Sequence, residues 1–151
     1  LELIALAREI NDSMPLHLVA LAEDALAALD VQLDGAKVAV LGVAYLEDSD
    51  DTRNSPAVPV IDALQERCAS VVAHDPYVRG LDGYELTRNL EAALEGADAA
   101  VIVTKHSQYF EMDPTWLRSI MQTPIVIDGR NVFDAEELRV AGLTYSAVGK
   151  A

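Results

Sequence analysis

The chain has 151 residues, the size of one domain, and 51% of them are apolar, so a core of its own is available. Its 25 acidic and 11 basic residues give a formal charge of −14, a field that repels phosphate backbones and anionic lipid and so excludes nucleic acid and membrane surfaces as expected partners. No apolar run reaches the roughly 20 residues of a membrane span, and the single cysteine excludes an internal disulfide and fits a reducing cytoplasm.

Residues 1 to about 30 read as helix. Leu3, Leu6, Ala7, Ile10 and Met14 recur at helical spacing, then Leu18, Leu21, Ala22, Ala25, Leu26 and Leu29 do so again. Pro15, after Asn11, Asp12 and Ser13, either kinks the helix or restarts it. This segment carries an apolar stripe with no evident partner of its own. It is expected to belong to a neighbouring domain or a dimer interface, or to fold back on the sheet.

After Asp34-Gly35 the pattern becomes strand–helix alternation. Lys37 to Val43 (KVAVLGV) is a short apolar, β-branched run, as a buried parallel strand requires. Ala57 to Arg67 places Ala57, Val60, Ile61 and Leu64 on one helical face. Ser70 to Ala73 is a second strand. Leu90, Ala93 and Leu94 mark a short helix, Ala99 to Thr104 a third strand, and Thr115 to Met121 a helix. Pro124 to Asp128 is a fourth strand, Ala135 to Ala141 a helix closed by Gly142, and Leu143 to Val148 a last strand. The fold class is therefore α/β: a Rossmann-like, doubly wound, mainly parallel sheet over residues 34–151, preceded by a helical segment over 1–33.

Open parallel sheets bind ligands outside the carboxyl ends of their strands. The loops there are Ala44 to Ser55, His74 to Tyr77, Lys105 to Phe110 and Gly129 to Phe133. The first loop ends as a helix start, with Asn54 or Ser55 as N-cap and Pro56 in the first turn, where free N–H groups favour an anion. Arg53 either adds a phosphate contact there or pairs with Asp48, Asp50 or Asp51. The strand before it is not followed by G-x-G-x-x-G, so the dinucleotide fingerprint is absent. In the fourth loop, Gly129 allows close backbone approach, and Arg130 and Asn131 come next at the strand end. Arg130 is expected to hold a phosphate or a sugar hydroxyl; the alternative is a plain helix-entry loop with Asp134 as N-cap. Lys105, His106 and Ser107 each read as ordinary surface residues. Cys68 reads as a small buried hydrophobe. Three scattered histidines and one cysteine make no metal site, and no nucleophile–base pattern appears, so neither a metal ligand nor a catalytic residue is assigned.

The ordered set D-D-T-R-x-S-P at 50–56, D-P-Y-V at 75–78 and V-I-D-G-R-N at 126–131 resembles the C-terminal domain of UDP-glucose/GDP-mannose dehydrogenases. AREINDSMP at 7–15 resembles the end of that family's central helical domain. The likeness spans nearly the whole chain. It implies oxidation of the C6 hydroxyl of a nucleotide sugar with NAD. In the family an N-terminal Rossmann domain binds NAD, a central helical domain supplies the catalytic Cys and dimerises, and the C-terminal domain binds the nucleotide sugar. The resemblance thus implies that residues 1–33 end the central region and 34–151 form the nucleotide-sugar domain. It implies that the NAD domain and the catalytic Cys lie outside this chain, which alone is not expected to turn over substrate. A UDP-sugar and a second copy, met through the central helices, are the implied partners.

Carried over by motif, Arg53 matches an arginine that contacts NAD, Arg130 and Asn131 lie in the G-R-N substrate motif, and Tyr45 keeps an aromatic at the substrate loop. The family's aromatic-Lys-Pro is Tyr45-Leu46-Glu47 here, which removes a substrate-contacting lysine. TKHSQYF at 104–110 resembles members that oxidise N-acetylated hexosamines, so a UDP-N-acetylmannosamine type is expected over UDP-glucose. The alternative is a stand-alone, non-catalytic nucleotide-binding or regulatory module. The opening at Leu1 inside a helical pattern is the expectation for a piece of a longer protein.

Overall fold

The β-branched apolar runs become strands and the runs between them helices, because only those arrangements bury the stripes while satisfying the backbone. The computed structural model describes residues 2–67 and 69–149, with side chains from residue 13 onward. The elements are α1 (Glu2–Ala28), β1 (Lys37–Leu41), α2 (Ala57–Glu66), β2 (Ser70–His74), β3 (Leu86–Thr87), α3 (Leu90–Leu94), β4 (Ala99–Ile102), α4 (Ser107–Phe110), α5 (Pro114–Ile120), β5 (Ile125–Asp128), α6 (Ala135–Val140) and β6 (Thr144–Ala147). All strand pairs are parallel, in the order β3-β2-β1-β4-β5-β6. Alternate residues of β1 face opposite layers. Val38 and Val40 join the core under α1 and α2, while Ala39 and Leu41 join the core under α3, α5 and α6. The sheet is thus doubly wound and Rossmann-like, as expected.

The order of strands along the sheet reverses between β1 and β4, which opens a crevice at their carboxyl ends. Two glycines permit the close approach there. A Cβ on Gly42 (φ +96°) would lie 2.5 Å from Thr104 Cβ, and one on Gly129 would lie 2.6 Å from the Ile102 carbonyl oxygen.

The structure chooses between the readings left open for the leading segment. The helix is continuous through Pro15 and neither stops nor restarts there. Pro15 is buried and lines the cleft described below. The apolar stripe also has a partner within the chain: Leu18, Val19, Ala22, Ala25 and Leu26 are buried in the core shared with α2, β4 and β5. Leu29 lies past the helix end and is half exposed (47%). The expected stripe at Leu3, Leu6, Ala7 and Ile10, and the reading of Cys68, lie outside the described side chains.

Candidate nucleotide site at the carboxyl edge

Three loops at the carboxyl edge are tied together by one buried carboxylate. Asp75, at the end of β2, is fully buried. Its Oδ2 accepts the N–H groups of Val43 (2.9 Å) and Ala44 (3.0 Å), and its Oδ1 accepts those of Tyr77 (2.8 Å) and Val78 (3.1 Å). His106 Nε2 completes the set at 2.8 Å from Oδ2. Burial alone would raise this carboxyl. The bonds from His106, Tyr77 and Val43 outweigh that and hold it at about 2, so it stays charged.

His106 is itself wholly buried, which corrects its reading as a surface residue. Its Nδ1 lies 2.9 Å from the backbone N of Asp48. A backbone N–H can only donate, so Nδ1 is the acceptor and Nε2 carries the proton towards Asp75. Asp48, in left-handed backbone (φ +54°), accepts from the Ser107 N–H (2.9 Å), the Ser107 hydroxyl (2.6 Å) and the Tyr77 hydroxyl (3.3 Å). The bonds from Ser107 keep its carboxyl below the usual range. Thr104 Oγ1 donates to the Ala44 carbonyl at 2.7 Å. Beneath this layer, the Tyr109 hydroxyl meets His74 Nδ1 at 2.9 Å. Burial pushes His74 down to about 4 and keeps it neutral.

The fourth loop is shaped by Asp128, also fully buried. It accepts the N–H groups of Arg130 (3.0 Å) and Phe133 (2.9 Å) and the Tyr145 hydroxyl (2.8 Å). Burial, then the bond to Asp128, raises the Tyr145 phenol, which remains protonated as a donor. Asn131 takes the left-handed conformation (φ +58°) that turns the chain beyond Arg130.

Between α1 and these loops lies a cleft of about 670 Å³. Met14, Pro15 and Leu18 of α1 form one wall. Tyr45, Asn54, Ser55, Pro56, Pro59 and Val60 line it from the first loop and α2, and Val103, Gly129 and Arg130 from the loops after β4 and β5. Arg130 is the one charged side chain among the lining residues. Its guanidinium has no hydrogen bond or ion pair among the described residues. An unpaired cation on an apolar wall, in a chain of charge −14, is equipped to meet an anionic or hydroxyl-rich ligand.

Of the residues expected at the site, the cleft brings together Tyr45, half exposed at its mouth (52%), and Arg130. Asn131 is exposed beside Arg130 and lies outside the lining. Arg53 points away, its side chain 87% exposed, and forms a two-pronged pair with Asp51 at 3.0 and 2.7 Å. That pair lowers the Asp51 carboxyl to about 2. Sequence reasoning missed the α1 wall, because an amphipathic helix does not announce which neighbour it meets. The expected anion site at the start of α2 is corrected. Pro56 and Pro59 have no N–H, and the Ala57 N–H is turned to Ser55 Oγ (3.2 Å), so the first turn offers a phosphate almost nothing. The described residues therefore do not fit a dinucleotide pyrophosphate at this turn. No cluster of three or more His, Cys, Asp or Glu among the described residues is placed to hold a metal. Among the same residues, no helix is long and apolar enough to cross a membrane.

The model of the UDP-glucose/GDP-mannose dehydrogenase family, UDP binding domain, matches residues 39–135. The UDP-N-acetyl-D-mannosamine dehydrogenase of Pyrococcus horikoshii is 36% identical over 148 residues, covering 98% of this chain and 34% of that protein. The UDP-glucose 6-dehydrogenase of Rhizobium meliloti is 33% identical over 136 residues, covering 87% and 31%. The crystal structure of an NDP-N-acetyl-D-galactosaminuronic acid dehydrogenase from Methanosarcina mazei superposes with a TM-score of 0.93 at 40% identity, over 97% of this chain and 31% of that one. The chain spans about a third of the length of the curated relatives it matches.

Proposed function

The chain belongs to the UDP-glucose/GDP-mannose dehydrogenase family, matching its UDP binding domain, and from that premise we propose that it is the C-terminal nucleotide-sugar-binding domain of an NAD-dependent UDP-sugar 6-dehydrogenase. The observation that carries the reading is the unpaired Arg130 guanidinium on an otherwise uncharged cleft, at the switch point of the sheet. Tyr45 at the mouth offers an aromatic face for a base, and Arg130 with Asn131 offers donors to the phosphate or sugar. Leu46 stands exposed (54%) where the family has lysine, so Arg130 carries the charge for the site. Catalysis is assigned to no residue of this chain. The C6 oxidation belongs to the whole enzyme, whose NAD is held mainly by a domain outside this chain. Arg53, exposed and paired with Asp51, is the residue of this chain proposed to contact NAD in the whole enzyme.

The same reading makes residues 1–33 the end of the central helical region, through which two copies pair, and 34–151 the nucleotide-sugar domain of a cytoplasmic enzyme. The burial of one face of α1 from Pro15 onward fits a helix that joins one domain to the next. The sugar is an N-acetylhexosamine of the mannosamine type, on the strength of the His106-Ser107 element. Turnover by the full-length protein tests this, and exclusive oxidation of UDP-glucose overturns it. The cleft itself is tested with Arg130→Ala. Removing one charge-assisted contact costs about 1–3 kcal/mol, so the dissociation constant for UDP rises about tenfold or more while the melting temperature holds. Unchanged affinity would make Arg130 a structural residue.

A further inference from the structure

We propose that His106 is a positioning residue for the nucleotide cleft: its Nδ1 anchors the loop of residues 42–55, and so sets the cleft wall that Tyr45 and Ser55 form. The proposal rests on the reading of that cleft as the nucleotide site.

The geometry separates two jobs on one ring. Nε2–H faces the buried Asp75 carboxylate (2.8 Å), a contact inside the core. Nδ1 holds the N–H of Asp48 (2.9 Å), a loop residue outside the cleft lining. The loop transmits that hold. Its first residues are fixed to Asp75 through Val43 and Ala44, and it closes on itself where the Tyr45 N–H meets the Asp51 carbonyl (2.6 Å). Tyr45 and Asn54–Ser55 line the cleft, and between them the loop meets His106 through the Asp48 N–H and Ser107 and Tyr77 through the Asp48 carboxylate, so that His106 holds the backbone and the other two the side chain. A loop of this length with a left-handed residue at Asp48 keeps one shape only where an outside contact holds it. The ring cannot swing to other partners. The Tyr77 ring packs edge-on at 5.1 Å and the Tyr109 ring at 5.7 Å, and the side chain has no solvent access.

Two substitutions divide the jobs. The Asn side-chain oxygen takes the place of Nδ1 but has no donor to reach Asp75. The Gln amide N–H takes the place of Nε2 but offers Asp48 no acceptor. His106→Asn is expected to lower the melting temperature more, because a buried carboxylate loses a donor. His106→Gln is expected to weaken nucleotide more, by about tenfold, the scale of one hydrogen bond, with His106→Asn restoring most of the affinity. The experiment is calorimetric titration of both variants and the parent chain with UDP, beside thermal unfolding and amide hydrogen exchange at Asp48. The Asp48 amide stays protected in His106→Asn and exchanges freely in His106→Gln. Affinity that falls in step with the melting temperature, affinity unchanged in both, or an Asp48 amide equally protected in both would overturn the proposal. A parent chain that folds and does not bind UDP breaks the nucleotide reading instead, and the Asp48 amide still decides whether His106 holds the loop.

Discussion

At the scale of single residues, the carboxyl edge is stabilised by groups whose protonation is displaced, and this makes its stability depend on pH in a stated direction. His74 is pushed by burial from about 6.5 to about 4, so between those values the unfolded chain takes up a proton that the folded chain refuses. Stability is therefore unaffected above about pH 6.5 and falls as pH drops towards 4, by about 3 kcal/mol across the window. Asp75 acts in the next window. Its folded value of about 2 lies below the ordinary 3.9, so its contribution is fully present above about pH 4 and is lost as pH falls through 2. Urea unfolding from pH 7 to 4 measures the first effect. His74→Gln flattens that slope, and an equally steep slope in the variant would assign it to other groups. Neither His106 nor Asp75 was legible as a clamp in the sequence. A polar triplet after a strand and an Asp-Pro turn have the composition of ordinary loops, and only the register that aligns Leu41 with His74 and Ile102 brings them together. The place of Arg130 at the carboxyl edge was legible, because it directly follows an apolar run that reads as a parallel strand.

At the scale of elements, the strands longer than three residues and the helices between them were readable from apolar runs, with ends off by one or two positions. β3 escaped because a two-residue, half-buried edge strand has no period to detect, and α4 because four residues make a single turn. The partner of α1 escaped for a different reason: periodicity shows that a face must be buried and not what buries it. Leu26 is fully buried among α2 and sheet residues. Leu26→Ala is accordingly expected to destabilise the chain by about 2–5 kcal/mol, read as a shift in the urea midpoint at constant slope. A change below about 0.5 kcal/mol would mean that α1 docks elsewhere in solution.

At the scale of the whole molecule, a chain of charge −14 presents an apolar cleft with one unpaired arginine at the switch point of a parallel sheet. The field of the molecule opposes anions, so a nucleotide diphosphate binds only where Arg130 and the loop donors outweigh it, and its affinity for the chain rises with added salt that screens the rest. The prolines at the start of α2 remove the N–H groups on which a dinucleotide pyrophosphate would rest. The cleft is therefore expected to be selective, and calorimetric titration of the chain with UDP, GDP and NAD, each alone, tests this most directly. Saturable binding of UDP with NAD silent is the predicted result. Binding of NAD without UDP, or a folded chain that leaves UDP unbound at millimolar concentration, would contradict it.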